Sequence, residues 1–212
     1  MRTHSGQCRS LPMYYKVLAE TFGAEASIAY APAHVFIRYR NEDNLYPEEW
    51  VNVELTTHQI VPESWYREYF EISDAAIESK VYLAPLTNRE TVAAQLADLA
   101  LGYLNKYGVY DDFIRICAEK SLEYYPPQKT KACVLLGKSL EAALLKHLQD
   151  NGYREDDYVR QITACSKALF EHLKALGWQE MDEQLQKKLE AGNEQGRRWQ
   201  EKSAASPTIP NL

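Results

Sequence analysis

Cys8, His34, Asn52 and Glu54 are the residues of this chain whose types and spacing suit nucleophilic chemistry. A thiolate attacks carbonyl carbon, an imidazole takes the thiol's proton, and a carboxylate or amide holds the imidazole in one tautomer. Cys8 lies in Gly6-Gln7-Cys8-Arg9-Ser10-Leu11-Pro12, which opens an apolar segment, Leu11 to Phe22. That segment reads as a helix with Pro12 tolerated in its first turn. The positive end of the helix dipole favours a thiolate at such a position. A small buried thiol at a helix start suits the same stretch equally well, and both readings stand at this point.

The elements that must position these groups follow from periodicity. Leu11, Tyr14 or Tyr15, Leu18 and Phe22 form the apolar stripe expected for the first helix, and Gly23 stops it. Ala24 to Tyr30 is a short strand, broken by Ala31-Pro32-Ala33. His34 to Arg40 and Trp50 to Thr56 both alternate in polarity around a polar loop containing Pro47, which predicts an antiparallel hairpin. If the loop centres near residue 44, His34 opposes Glu54; if it centres one residue earlier, His34 opposes Asn52. In either register the imidazole shares a face with both side chains, and opposed Cβ atoms lie about 5 Å apart.

These residues carry a resemblance. G-x-C-R-S-L-P, a helix, Gly-Ala-Glu-Ala, a strand, Ala-His-Val-Phe-Ile and then Trp-Val-Asn-Val-Glu-Leu-Thr resemble the transglutaminase-like domain family of the papain-like cysteine peptidase superfold over roughly residues 5–60. The resemblance implies an α+β fold with a papain-like core, a helix packed on a small antiparallel sheet. It implies Cys8 as nucleophile, His34 as base and a third residue as orienter. The family usually places Asp at that third position, where this chain has Glu54; its longer side chain orients His34 only if the strands shift slightly, and Asn52 is the alternative orienter. Phe36 stands where the family often has Trp, and the segment usually found before the cysteine is nearly absent, so a natural upstream segment is an open expectation.

Pro62 to Phe70 holds Trp65, Tyr66, Tyr69 and Phe70 at helical spacing. Such a stripe suits a core; Trp50, Trp65 and Tyr66 are also the candidates for a substrate-cleft wall. Ser73 caps a short helix to Ser79, and Val81 to Leu86 links to a second half. Thr87-Asn88-Arg89-Glu90 is a capping box. Four helices follow, with expected stripes of Val92, Leu96, Leu99 and Tyr103; of Phe113, Ile116, Cys117 and Tyr124; of Leu136, Leu140, Ala143, Leu144 and Leu148; and of Ile162, Cys165, Leu169 and Leu173. Asp111 caps the second of these, Pro126 and Pro127 stop it, and the fourth starts near Asp156. Gly108-Val109-Tyr110-Asp111-Asp112 and Leu135-Leu136-Gly137 are similar to parts of a tetratricopeptide unit, with imperfect spacing. A degenerate helical-hairpin array and a plain helical bundle both fit. The expected division is 1–86 transglutaminase-like, 87–203 all-α, with a charged helix from Gln179 to Ser203, and 204–212 a disordered tail.

Composition narrows the function classes. A net charge of -6 without a basic patch argues against nucleic-acid binding. No apolar run has the length of a membrane span. Of the four cysteines, none pairs as C-x-x-C, so neither a metal site nor a cofactor is expected; Cys117, Cys133 and Cys165 read as buried core thiols. His4, His58, His147 and His172 read as surface, turn or partnered helix residues. No compartment is assigned. Two functions follow. One is a cysteine enzyme of acyl transfer, a peptidase, amidase or transamidase using Cys8, His34 and Glu54 on a peptide or protein substrate. The other is a catalytically silent module that binds peptide or protein, in which a protein partner docks on the helical half.

Overall fold

The computed structural model describes residues 8–124 and 130–178, with Gln184, Lys187, Lys188 and Ala191 beyond them. The chain is α+β. Helix α1 (Ser10–Thr21) leads into strands β1 (Ala26–Ala31), β2 (His34–Arg40), β3 (Trp50–Glu54) and β4 (Gln59–Val61). Short helices α2 (Glu63–Tyr69) and α3 (Asp74–Glu78) follow, then α4 (Asn88–Tyr107), α5 (Asp112–Tyr124), α6 (Thr130–Asp150) and α7 (Asp157–Ala175). The strands form an antiparallel sheet in the order β1-β2-β3-β4. The three-residue β4 has too little sequence to show alternation, and it was not expected.

Both faces of the sheet are covered. Ala26, Ile28, Val35 and Ile37 bury one face against Met13, Tyr15 and Ala19 of α1. Ala29, Ala31, Phe36 and Val61 bury the other against Tyr66 of α2, Phe70 just after it and Ala76 of α3. The link after α3 runs beside β1, where the N–H groups of Leu83 and Leu86 donate to the carbonyls of Tyr30 and Ile28 at 2.9 Å each. That link uses backbone groups that an edge strand otherwise leaves open.

The hairpin register differs from both expected forms. Arg38 pairs with Asn52 and Arg40 with Trp50, so the loop centres on residue 45. Asn41 sets this closure. Its N–H donates to the Glu49 carbonyl at 2.9 Å. Its side-chain amide donates to the carbonyls of Tyr46 and Glu48 and accepts from the N–H of Leu45. Continued along the strands, this register sets Glu54 against Phe36, one step diagonal to His34.

The helices of the second half pack each on the next, and α4 also packs on α6. Thr87 and Glu90 complete the capping box at the start of α4, Asp111 accepts from the N–H groups of Phe113 and Ile114, and Asp156 caps α7. The expected apolar stripes are displaced. In α4 the buried residues are Thr91, Ala93, Ala94, Ala97 and Ala100, while Val92 and Leu99 are exposed. In α5 Ile114, Cys117, Ala118 and Ser121 are buried and Phe113, Ile116 and Tyr124 are exposed. In α6 the buried set is Ala132, Cys133, Leu135, Gly137 and Ser139. Small side chains let helix backbones approach closely: a Cβ on Gly137 would come within 3.2 Å of the Phe170 ring. In α1 Tyr14 and Leu18 are exposed, as is Phe22 just after it, and Pro12 and Lys16 are buried. Lys16 keeps its charge partnered through Glu20 and the Ala26 carbonyl. Cys117 and Cys133 are buried, but Cys165 is exposed on α7, whose inward residues are Ser166 and Leu173. The expected proline stop after Tyr124, His4, the tail and most of the Gln179–Ser203 segment lie outside the described residues.

The two halves are joined by polar and close contacts. The Tyr30 hydroxyl donates to Asp98 of α4 at 3.1 Å, and Lys131 of α6 also pairs with Asp98. The hydroxyl of Ser79, just past α3, donates to the Leu176 carbonyl at 2.8 Å. Gly177 has φ of +75°, and a Cβ there would lie 2.8 Å from the Ala76 nitrogen, so only glycine fits this junction.

Candidate active site

His34 begins β2 directly after the Pro32-Ala33 turn. Pro32 fixes its own φ, and Ala33 takes a left-handed φ of 54°, so the chain reverses in two residues and Ala31 pairs with His34. Cys8 lies in the turn just before α1, at the same end of the sheet. It stands two residues ahead of the helix rather than in its first turn, and α1 has no side-chain N-cap. The thiol hydrogen-bonds to the His34 side chain, and the Val35 N–H donates to the sulfur.

The far nitrogen of the imidazole is committed elsewhere. His34 Nε2 lies 2.6 Å from Glu54 Oε2. That leaves Nδ1 as the nitrogen that faces Cys8. Glu54 reaches His34 along the diagonal of the ladder, where neighbours stand about 7–8 Å apart rather than directly opposite. The side chain of glutamate, one methylene longer than that of aspartate, suits this distance.

Glu54 is buried, and each of its oxygens is occupied. Oε2 also accepts from the Tyr66 hydroxyl at 3.1 Å. Oε1 accepts from the Thr56 N–H at 3.0 Å and from the Thr56 hydroxyl. Tyr66 in turn stacks on Phe36, with ring centroids 4.0 Å apart, and Phe70 stacks on the His34 ring at 5.5 Å. Phe70 was expected only as part of the aromatic core stripe and Thr56 only as a strand residue; neither was among the candidate site residues. Thr56 had one available signal, its place two residues beyond the glutamate in the same short motif.

Electrostatics follow from this network. Burial of Cys8 pushes its thiol upward, but the hydrogen bond and charge of His34, with Arg9 and the Val35 N–H, outweigh it and hold the pKa below its ordinary value. Burial pulls His34 down, yet the bonds to Cys8 and Glu54 raise it to about 9. Burial raises Glu54, and the bonds from His34 and Thr56 more than reverse that. Burial and the Glu54 charge push the Tyr66 hydroxyl up, so it remains a donor. Each shift favours the charged form, toward a thiolate at Cys8, an imidazolium at His34 and a carboxylate at Glu54.

Of the other residues singled out from sequence, Tyr66 touches the Cys8–His34–Glu54 line through Glu54 and the rest lie apart from it. The Asn52 amide donates to the Val61 carbonyl at 3.2 Å, while its buried oxygen has no partner among the described residues. It therefore bonds the neighbouring strand, not the imidazole. Replacing Asn52 with alanine is expected to cost about 1 kcal/mol of stability in urea unfolding and to leave the pH profile of Cys8 alkylation unchanged. Trp50 lies at the far end of β3, under the Arg40 guanidinium. Trp65 stacks on Tyr69 and meets Tyr66 edge-on. Tyr66 is fully buried beneath the pair, as a support for Glu54. His147 bonds Asp156 at 2.7 Å, and His58 sits in the β3–β4 turn with a left-handed φ of 57°. Among the described residues no group of three or more His, Cys, Asp or Glu could hold a metal ion, and no helix is long and apolar enough to cross a membrane.

A cavity of about 330 Å³ adjoins the pair. It is lined by His34 and Arg9 on one side and by residues of α4 and α6 on the other. No protein-family model matches this chain, and no curated protein or solved structure matches it.

Proposed function

We propose that this protein is a cysteine acyl-transfer enzyme of the transglutaminase-like, papain-like kind, acting on peptide or glutamine-type amides. The observation that carries this reading is the unbroken line from Cys8 through His34 to Glu54. The packing of α1 on an antiparallel sheet, with a cysteine before the helix and a histidine on the second strand, supports the papain-like core. The stacked helices α4 to α7 support a tetratricopeptide-like arrangement as the second half.

The Cys8 thiolate attacks the amide carbonyl carbon, and a C–S bond forms while the carbonyl electrons move onto oxygen. The backbone N–H of Cys8 is the donor assigned to that oxyanion. As the intermediate collapses, the C–N bond breaks and His34 gives its Nδ1 proton to the leaving nitrogen. A thioester remains. Water or an amine then attacks it, His34 takes the incoming proton, and the C–S bond breaks to restore the thiolate and imidazolium. Glu54 stays ionised throughout and holds the ring by Nε2.

The test is incubation with a small glutamine peptide in the presence and absence of an amine acceptor, with products read by mass. Release of acid alone marks a hydrolase, and an amide to the added amine marks a transamidase. The rate is expected to be bell-shaped in pH. On the acid side it falls as Cys8 is protonated through its lowered pKa. On the alkaline side it falls near pH 9, where His34 loses the proton needed by the leaving nitrogen. No turnover, together with a Cys8 that behaves as an ordinary thiol, would refute the reading.

A further inference from the structure

We propose that the cavity beside His34 receives a bulky apolar group attached next to the reacting amide, and that the helical half thereby sets substrate choice. The assignment rests on the acyl-transfer reading of Cys8. The cavity is continuous with the pair: His34, which bonds Cys8, and Arg9, its neighbour in the chain, both line it. Its opposite wall comes from Ala97, Leu101 and Leu104 of α4, Val134 and Leu135 of α6, and Trp178 beyond α7. About 330 Å³ lies within the range of small-molecule sites, which are concave and mostly apolar with few polar groups.

Most of the polar groups of the lining are already engaged, chiefly with Asp98 beside them. The Tyr30 hydroxyl and the Lys131 ammonium both bond Asp98. The Tyr82 hydroxyl is hydrogen-bonded to Thr130, and Arg9 lies 4.0 Å from Asp98. The cations are thus balanced in part by an acid beside them, and an anionic ligand would have to compete with it. An apolar ligand displaces none of these bonds. The alanines of α4 that face the core also explain why space exists here: larger side chains at Ala94 and Ala97, both of which line the cavity, would fill it.

The experiment compares alkylation of Cys8 by iodoacetamide, N-hexyl iodoacetamide and iodoacetate, each rate divided by that of glutathione and assigned to Cys8 by peptide mass mapping. Burying two methylenes is worth roughly tenfold. The expected result is therefore a rate for the N-hexyl reagent at least tenfold above that for iodoacetamide, with no gain for iodoacetate. Leu101→Trp and Val134→Trp, which narrow the cavity from two helices, are expected to abolish that preference. A wild-type preference no greater than that of glutathione overturns the assignment, and that comparison needs no variant. So does a preference that persists in both folded variants, or one for iodoacetate. The two readings fail separately. A slow iodoacetamide rate that ignores His34→Ala sinks the enzyme, whereas a fast one with no chain-length preference sinks only the apolar site.

Discussion

Under the proposed acyl-transfer chemistry, replacing His34 with alanine will lower turnover of an amide substrate by about 10²- to 10⁴-fold, the usual contribution of a positioned acid–base group. The same variant will slow alkylation of Cys8 by iodoacetamide much less, by about tenfold at pH 6.5. The two numbers differ for a physical reason. An ordinary thiol with a pKa near 8.5 is only about 1 % ionised at that pH, whereas the lowered pKa of the His34-paired thiol keeps more of it as thiolate. A thiolate of low pKa is, however, a weaker nucleophile, and this takes back much of the advantage. The shape of the profile is the sharper readout: its midpoint moves from below the ordinary thiol range up into it. Loss of turnover without a shift in that midpoint would mean that His34 acts on the substrate but does not ionise Cys8.

Removing the carboxylate will have the largest effect on folding. Glu54→Ala leaves the Tyr66 hydroxyl, the Thr56 N–H and hydroxyl and the His34 ring without their acceptor. Breaking a buried, hydrogen-bonded charge pair costs about 3–5 kcal/mol, to be read from the urea midpoint at constant slope. Two milder variants separate charge from reach. Glu54→Gln keeps the length and loses the charge, so the folded protein will show His34 titrating well below its present value of about 9. Glu54→Asp keeps the charge and shortens the arm. Because Glu54 meets His34 along the diagonal of the ladder, aspartate will fall short of Nε2 and will also lower the His34 titration, as followed by NMR of the imidazole. An Asp variant that matches the wild type would show that the strands can shift, and that the diagonal is no constraint.

The alternation of His34 to Arg40 and Trp50 to Thr56 made the central hairpin legible, and Asp111, Asp156 and the Thr87 capping box marked helix starts. The register was not legible, because it depends on how the Asn41 side chain closes its own loop. That closure decides whether the third residue meets the imidazole head-on or along a diagonal. The helix faces were misread for a different reason. Hydrophobicity favours Val92, Leu99 and Ile116, but close packing of α4, α5 and α6 selects Ala93, Ala97, Ala118 and Gly137, whose value lies in being small. Tyr66 and Thr56 gain their roles only when α2 and the β3–β4 turn fold over Glu54. The cavity has no sequence signature at all, since its walls come from segments about a hundred residues apart.

The most direct test of the Cys8–His34 pair is a titration of thiolate ultraviolet absorbance, wild type minus Cys8→Ser, from acid to alkaline pH. It counts thiolate directly and is indifferent to nucleophilicity. Cys133, which burial pushes up to about 11, does not intrude at acid pH, and the subtraction removes the remaining thiols. An absorbance step that lies below the ordinary thiol range, and that moves up in His34→Ala, is the predicted result. A single step centred near 8.5 or above, the same with and without His34, would contradict it and leave Cys8 an ordinary thiol beside a structural histidine.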